Sequence, residues 1–332
     1  MPTVLNSAYP TLLDQAKTLD PNGSTARFVE LLKASNPILE DMVAIEGNLP
    51  GGHRSTVETS LPPAYWRSYN QGVIPGKGTT AQIDEQAAML EAWTIIDAKL
   101  ANFGGNKAQF SMQKGRMQLE GMNQEMASTL IYGNAGVSPS EFTGFMPRMS
   151  SLTAGNSQNV INAGGTGGDN ASILVIRWGD GVHGFFPKGS SAGVKHFDLG
   201  EQMAQNANGV TGALMKALVD QWTWDIGLAT PDWRHMVRIC NIDVSNLTSN
   251  TTPADLIELL EHALECLPLG DGRDVIYMNR TVGRFLRKQV RENVTSGGGL
   301  TFDNVAGKRV MFFDDVPVRR LDCMLNAETV VT

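Results

Sequence analysis

Four glycines within five residues, Gly164 to Gly168, run straight into the apolar stretch SILVIRW at 172–178. A glycine-rich turn joined to a buried strand could cradle a phosphate, because glycine lets backbone N–H groups approach an anion closely. The order is wrong for that chemistry. The dinucleotide fingerprint G-x-G-x-x-G follows a strand and opens a helix, and its last glycine lets the two pack closely. Gly165-Thr166-Gly167-Gly168-Asp169-Asn170 has asparagine in that last place, and here the strand comes after the glycines. A Walker loop needs Lys followed by Ser or Thr. Gly76-Lys77-Gly78-Thr79 and Pro187-Lys188-Gly189-Ser190 both fail at that step. No nucleotide and no other cofactor is expected.

The other candidates for chemistry are thinner. His183, His196 and Asp198 lie among glycines, but no H-E-x-x-H, C-x-x-C or EF-hand loop accompanies them. They read as turn residues with solvated imidazoles, and no metal is expected. Cys240, Cys266 and Cys323 are an odd number without metal spacing, suited to a reducing interior as small buried hydrophobes. No G-x-S-x-G is present, and Asp84/Glu85 and Asp314/Asp315 are merely adjacent, not known to face one another across a cleft. No catalytic residue is assigned and the chain reads as a non-enzyme. A cytosolic oligomeric α/β enzyme with an unrecognised active site is the alternative.

One cationic pattern is regular. Arg280, Arg284, Arg287, Lys288 and Arg291 recur at steps of three and four, which gathers them on one side of a helix over 280–293. Val282, Phe285, Leu286 and Val290 fall inward. A solvated face, contact with an acidic neighbouring subunit and weak attraction to DNA phosphates all fit such a stripe. The net charge of -7 favours the subunit contact and disfavours a module that reads nucleic acid.

The elements that must carry these residues are mixed. At 332 residues with 42% hydrophobic content the chain can bury one large core or two moderate ones. No apolar run reaches the roughly 20 residues a bilayer needs, and MPTVLNSAYPTLL lacks the order of a signal peptide. Residues 25–35 predict a helix capped by Ser24. Residues 46–80, broken by Gly and Pro and poor in core formers, predict an extended hairpin arm, with strand-like runs at 56–59 and 65–69; an ordinary long surface loop is the alternative. A helix is expected over 81–101. Ala108, Met112, Gly115, Leu119, Met122, Met126 and Leu130 form one stripe, predicting a helix over 106–131 that spans roughly 39 Å. Strands are expected at 172–179, within 181–200 and at 236–244, while 213–225 is open between helix and strand. Thr252, Pro253 and Asp255 predict a helix start, with Thr252 as cap. A strand follows at 273–279, and 309–322 predicts one or two strands broken near Pro317. The order is α+β without βαβ alternation, so a Rossmann or barrel fold fits poorly.

Several stretches taken in order carry a resemblance: NPILEDMVAIEGN at 36–48, GGHRSTVETSLPPAYWRSYNQGVIPGKGTT at 51–80, NQEMASTLIYGN at 123–134, FTGFMPRM at 142–149, NVINAGGTGGDNASILVIRWG at 159–179 and FFPKGSSAG at 185–193. Together they resemble the major capsid proteins of tailed double-stranded DNA phages, in particular short-tailed phages of the group containing the Bordetella phages. The resemblance implies the HK97-like shell fold, with a spine helix, an extended loop, and peripheral and axial domains, and it allows an altered order of elements. It divides the chain into an N-terminal arm and helix at 1–45, an extended loop at 46–80, and a peripheral domain at 81–143 including the spine helix at 106–131. A mainly axial domain follows at 144–250, and helices and strands at 251–332 complete the two.

The implied function is self-assembly into an icosahedral shell around the double-stranded DNA genome. The implied partners are further copies as hexamers and pentamers, the portal protein, scaffold and cement or decoration proteins, and packaged DNA by weak non-specific contact, with no membrane. Its place would be the virion, after assembly in the bacterial host cytoplasm. Arg54, Tyr65, Trp66, Arg67 and Lys77 on the arm and Arg284, Arg287 and Arg291 on the basic helix become candidate intersubunit contacts. For Trp66 the alternative is packing on its own subunit. The shell is expected to be non-covalent, and Asp169 and Asn170 are expected to hold the glycine turn through side chain-to-backbone bonds.

Overall fold

A computed structural model describes residues 10, 36–103, 107–205, 213–249, 252–292, 300–305 and 308–332. The helix expected at 25–35 lies outside the described residues. In chain order the elements are α1 (Ile38–Asp41), β1 (Ala44–Glu46), β2 (Gly52–Ser60), β3 (Thr79–Gln86), β4 (Ala88–Asp97), α2 (Ala98–Phe103), α3 (Lys107–Tyr132), α4 (Phe145–Arg148), β5 (Val160–Asn162), β6 (Asn170–Trp178) and β7 (His183–Phe186). There follow β8 (Lys195–Gln205), β9 (Leu214–Ala229), β10 (Met236–Asp243), α5 (Val244–Ser249), α6 (Leu256–Glu265), β11 (Arg273–Met278), α7 (Arg280–Glu292), β12 (Leu300–Val305), β13 (Lys308–Phe313) and β14 (Val316–Arg320). The chain divides into two compact units.

The larger unit comprises residues 35–88, 127–192 and 226–332. Its centre is a seven-stranded mixed sheet in the order β12-β13-β14-β11-β6-β10-β5. Strand β6 pairs antiparallel with both β10 and β11, and all but one of its nine residues are buried, as a strand covered on both faces must be. On one face Ile173, Val175, Ile276 and Met278 pack with Leu256, Leu260 and Ala263 of α6 and with Val282, Phe285 and Leu286 of α7. Asp255, not Thr252, caps α6: its carboxylate accepts from the N–H groups of Ile257 and Glu258 at 3.1 and 3.3 Å. Thr252 instead takes a left-handed backbone with φ 44°. The break between β13 and β14 falls at Asp314-Asp315, both at positive φ, and Pro317 sits inside β14.

The glycine-rich stretch is a tight turn ahead of β6. Gly164 has φ +86°, and a Cβ on Gly165 would lie 2.5 Å from the Asn241 carbonyl oxygen, so this turn admits no side chain there. Asn170 does hold the turn, its side-chain amide donating to the Gly167 carbonyl at 2.6 Å. The Asp169 carboxylate reaches elsewhere, accepting from the Ser245 N–H at 3.2 Å at the start of α5.

The smaller unit includes residues 89–126 and 193–225. Strands β8 and β9 form a long antiparallel hairpin from Lys195↔Thr223 to Gln205↔Leu214, with an irregularity between Asp198 and Glu201. The open stretch 213–225 is therefore strand. Helix α3, 26 residues long, contributes its residues through Met126 to this unit. Met122, Met126 and Leu130 of the expected stripe are buried, but Ala108 and Met112 are exposed and Phe110 is buried instead. Gly115 packs under Trp222, where a Cβ would come within 3.1 Å of the indole ring. The buried face of the first turns is thus set by partners elsewhere in the chain, with Phe110 packed among Ile96, Ala101 and Leu218 and Gly115 under Trp222, which hydrophobic spacing along α3 does not report.

The helix expected over 81–101 is corrected. Residues 79–86 and 88–97 are strands, and helix begins only at Ala98. Burial along β4 alternates between half-buried and exposed residues, the period of a strand with one covered face. Alanine, glutamine and glutamate favour helix locally, and pairing across strands overrode them.

Candidate functional site

The arm expected from composition is present as a two-stranded antiparallel stem, but its second strand is β3 and not the run expected at 65–69, which carries no strand. Strand β2 pairs with β3 from Gly52↔Gln86 outward, with an irregularity between Glu58 and Ser60. Toward its root β2 alternates half-buried and exposed residues, and from Glu58 onward it is exposed throughout. Arg54 and Asp84 stand directly opposite each other and close a two-pronged ion pair at 2.6 and 2.7 Å. The guanidinium holds the Asp84 carboxyl below its ordinary range, chiefly through that hydrogen bond. Both side chains are about half exposed, so this pair sets register more than it adds stability.

The root is tied down more firmly. Arg148, at the end of α4, makes a forked ion pair with Glu85 at 2.6 and 2.8 Å. It also donates to the Thr143 carbonyl and the Thr230 hydroxyl. Both charged side chains are only about 15% exposed. Beside them, the His53 ring meets His183 edge-on at 5.5 Å. Burial, then the neighbouring His53, lower the His183 pKa.

Between the strands, residues 61–78 carry no strand or helix. Leu61, Tyr65, Trp66, Tyr69 and Ile74 are all exposed, Trp66 and Tyr69 almost completely, at 104% and 98%. Arg67 and Lys77 are exposed among them. The alternative in which Trp66 packs on its own subunit is overturned by that exposure. Exposed apolar side chains gathered in one segment are more often found on interaction surfaces than scattered single ones.

The basic helix forms as its periodicity predicts. Val282, Phe285 and Leu286 of α7 are buried, and Arg280, Arg284, Arg287 and Arg291 are exposed. The Arg284 guanidinium lies over the Phe285 ring at 5.3 Å, and Arg287 Nε–H donates to the Met311 sulfur at 3.4 Å.

Neither histidine lies in a turn, and of the two only His196 is exposed to solvent. His183 is a buried residue of β7. His196, on β8, stacks on Trp222 with ring centroids 3.9 Å apart and meets Asp220 at 3.0 Å. Among the described residues no group of three or more His, Cys, Asp or Glu is placed to hold a metal. The three cysteines are free, and burial pushes each thiol up, Cys323 to about 12. None has the electropositive setting of an activated thiolate. No described helix is long and apolar enough to cross a membrane.

Three charged arrangements escaped the sequence reading. One is Glu85–Arg148; in a second, within the smaller unit, Glu201 sits between Lys107 at 2.6 Å and Lys216 at 2.5 Å. Its hydrogen bonds to those two ammonium groups lower its carboxyl to about 2. In the larger unit Arg238 and Glu328 form a buried pair at 2.9 Å, and the Tyr132 hydroxyl donates to Glu328 at 2.8 Å. Glu201 and Lys216 meet across the β8–β9 hairpin, and the other members are 63 to 196 residues apart in sequence, beyond the reach of a local pattern.

A family model described as major capsid protein GP7 matches residues 20–332. A chain of the near-atomic cryo-EM structure of bacteriophage Epsilon15 is 33% identical, with 99% of each chain covered and a TM-score of 0.81. The capsid of bacteriophage JBD30 is more distant, 11% identical with a TM-score of 0.49 over 95% of this chain and 98% of that one. No curated protein matches the chain.

Proposed function

The chain belongs to the major capsid protein GP7 family, coat proteins of tailed double-stranded DNA phages with the HK97-like fold, and from that premise we propose how its surfaces build the shell. It self-assembles into an icosahedral shell, and its place is in the virion. Family membership sets aside the oligomeric-enzyme reading.

In our reading hexamers and pentamers of this one chain close the shell, and the arm of each copy lies across a neighbour. The extended loop is 46–80 together with the continuation of β3 to Gln86. The N-terminal arm and helix take 1–45, and the peripheral domain 81–143 with α3 as its spine. The axial domain comes mainly from 144–250, and 251–332 completes both. We assign the phage to the short-tailed group that contains the Bordetella phages. Portal, scaffold and cement proteins are its further partners, and packaged double-stranded DNA touches it weakly and without specificity. Assembly takes place in the host cytoplasm, the shell is non-covalent, and the chain catalyses no reaction.

The observation that carries this reading is the arm tip, a set of aromatic and aliphatic side chains exposed on a stem whose root is fixed by a largely buried ion pair. Many such contacts act together in a shell, so each need only be weak. Burying one large apolar side chain is worth about 1.5–3 kcal/mol, so Trp66→Ser with Tyr69→Ser weakens every arm contact at once. Sedimentation should show shell yield falling about tenfold or more, while the unassembled subunit melts as before because these side chains bury little at home. Shells at wild-type yield would contradict the arm contact.

A further inference from the structure

Helices α6 and α7 share one core on one face of the seven-stranded sheet. They are joined by Gln289, which accepts from the Leu256 N–H at 2.9 Å and donates to the Ala254 carbonyl at 2.8 Å. Their outward faces carry opposite charge. Glu258, Glu261 and Glu265 recur at steps of three and four on α6 and are exposed. Arg280, Arg284 and Arg291 are exposed on α7. Among the described residues none of the three carboxylates has an ion pair within its own chain, nor do Arg284 and Arg291; Arg280 reaches Asp322 at 3.6 Å. One layer therefore presents an acidic stripe and a basic stripe that leave each other unused within the subunit.

We propose that the acidic face of α6 in one copy docks on the basic face of α7 in a second copy of this chain. The inference rests on the self-assembly reading and names the partner of the basic helix. Complementary charge of this kind guides encounter and fixes register, and it excludes like-charged approach. Two rigid helices on a common core hold their charges in fixed rows, so the pairing costs less side-chain order than charges on loops would. DNA is a poorer occupant, because the acidic stripe beside the basic one would repel phosphate.

Charge reversal tests the pairing in the full chain, co-expressed with the neighbouring phage genes and followed by sedimentation and electron microscopy. Glu258→Lys with Glu261→Lys and Glu265→Lys should lower shell yield about tenfold, as should Arg284→Glu with Arg291→Glu. The chain carrying all five substitutions should recover most of the yield, since each stripe again meets its opposite. Either single set assembling like wild type overturns the pairing, and so does a combined chain no better than its parents. Should a reversed chain fail to fold, the glutamine variants at the same five positions serve instead. Wild-type yield should fall with added salt, which screens such pairs, and the glutamine chain should lose that dependence; an unchanged salt response overturns the pairing. Normal shells that merely retain less DNA in the Arg284→Glu/Arg291→Glu chain would also overturn it, in favour of a phosphate contact. Absence of wild-type shells would count against the assembly reading underneath, whereas normal wild-type shells with indifferent variants count against the pairing alone.

Discussion

At the scale of single residues, charge works in two ways in this molecule. Arg54–Asp84 is half in solvent and is worth little by itself. Glu85–Arg148 is largely withdrawn from water, and removing one partner strands the other without its counter-charge. Breaking such a pair costs about 3–5 kcal/mol when burial is complete, so Arg148→Ala should lose roughly 2–4 kcal/mol in urea unfolding of the unassembled subunit. Glu85→Leu with Arg148→Met should lose clearly less, because no charge is left unpaired. A loss within 0.5 kcal/mol or so for Arg148→Ala would mean that the fork is an ordinary surface pair. Neither residue stands out in the sequence. The arginine lies 63 positions from its partner, and only the folded chain brings them together.

At the scale of elements, legibility followed the source of each element's stability. Helix α7 was readable because its own stripe of Val282, Phe285 and Leu286 decides which face is buried. Strand β6 was readable because a strand buried on both faces carries a continuous apolar run, here Ile173 to Ile176. The arm was readable through what it lacks. Strands β3 and β4 were misread as helix because their residues favour helix locally, while the partner strands that overrule them lie far away in sequence. The N-terminal half of α3 was readable as helix but not in its buried face, which Ile96, Ala101, Leu218 and Trp222 set from elsewhere in the chain. Another tie between distant elements is Glu201 on β8, which links Lys107 at the start of α3 to Lys216 on β9. Its carboxyl titrates near 2 in the fold against an ordinary 4.5. A carboxylate so depressed contributes stability fully above about pH 4.5 and loses it as pH falls through about 2. Glu201→Gln should therefore be less stable than wild type at neutral pH, and the gap in melting temperature should close between pH 4.5 and 2. A gap that stays constant across that window would deny Glu201 this role.

At the scale of the whole molecule, the chain leaves unburied what a solitary subunit would hide. A tryptophan at 104% exposure and a tyrosine at 98% stand at the end of a stem held by a largely buried fork. In the arm contact we propose, their exposure has a simple physical reason: the functional unit is the shell, and the second half of the contact would belong to another copy. The sequence showed an arm with too little apolar content to form its own core, and it could not show where the tip would come to rest. The measurement that decides the matter is cryo-electron microscopy of assembled shells, read at the environment of Trp66. The account predicts that Trp66 and Tyr69 are covered there by side chains of a neighbouring subunit. Shells in which both rings remain open to solvent, with the arm folded back or unengaged, would contradict it.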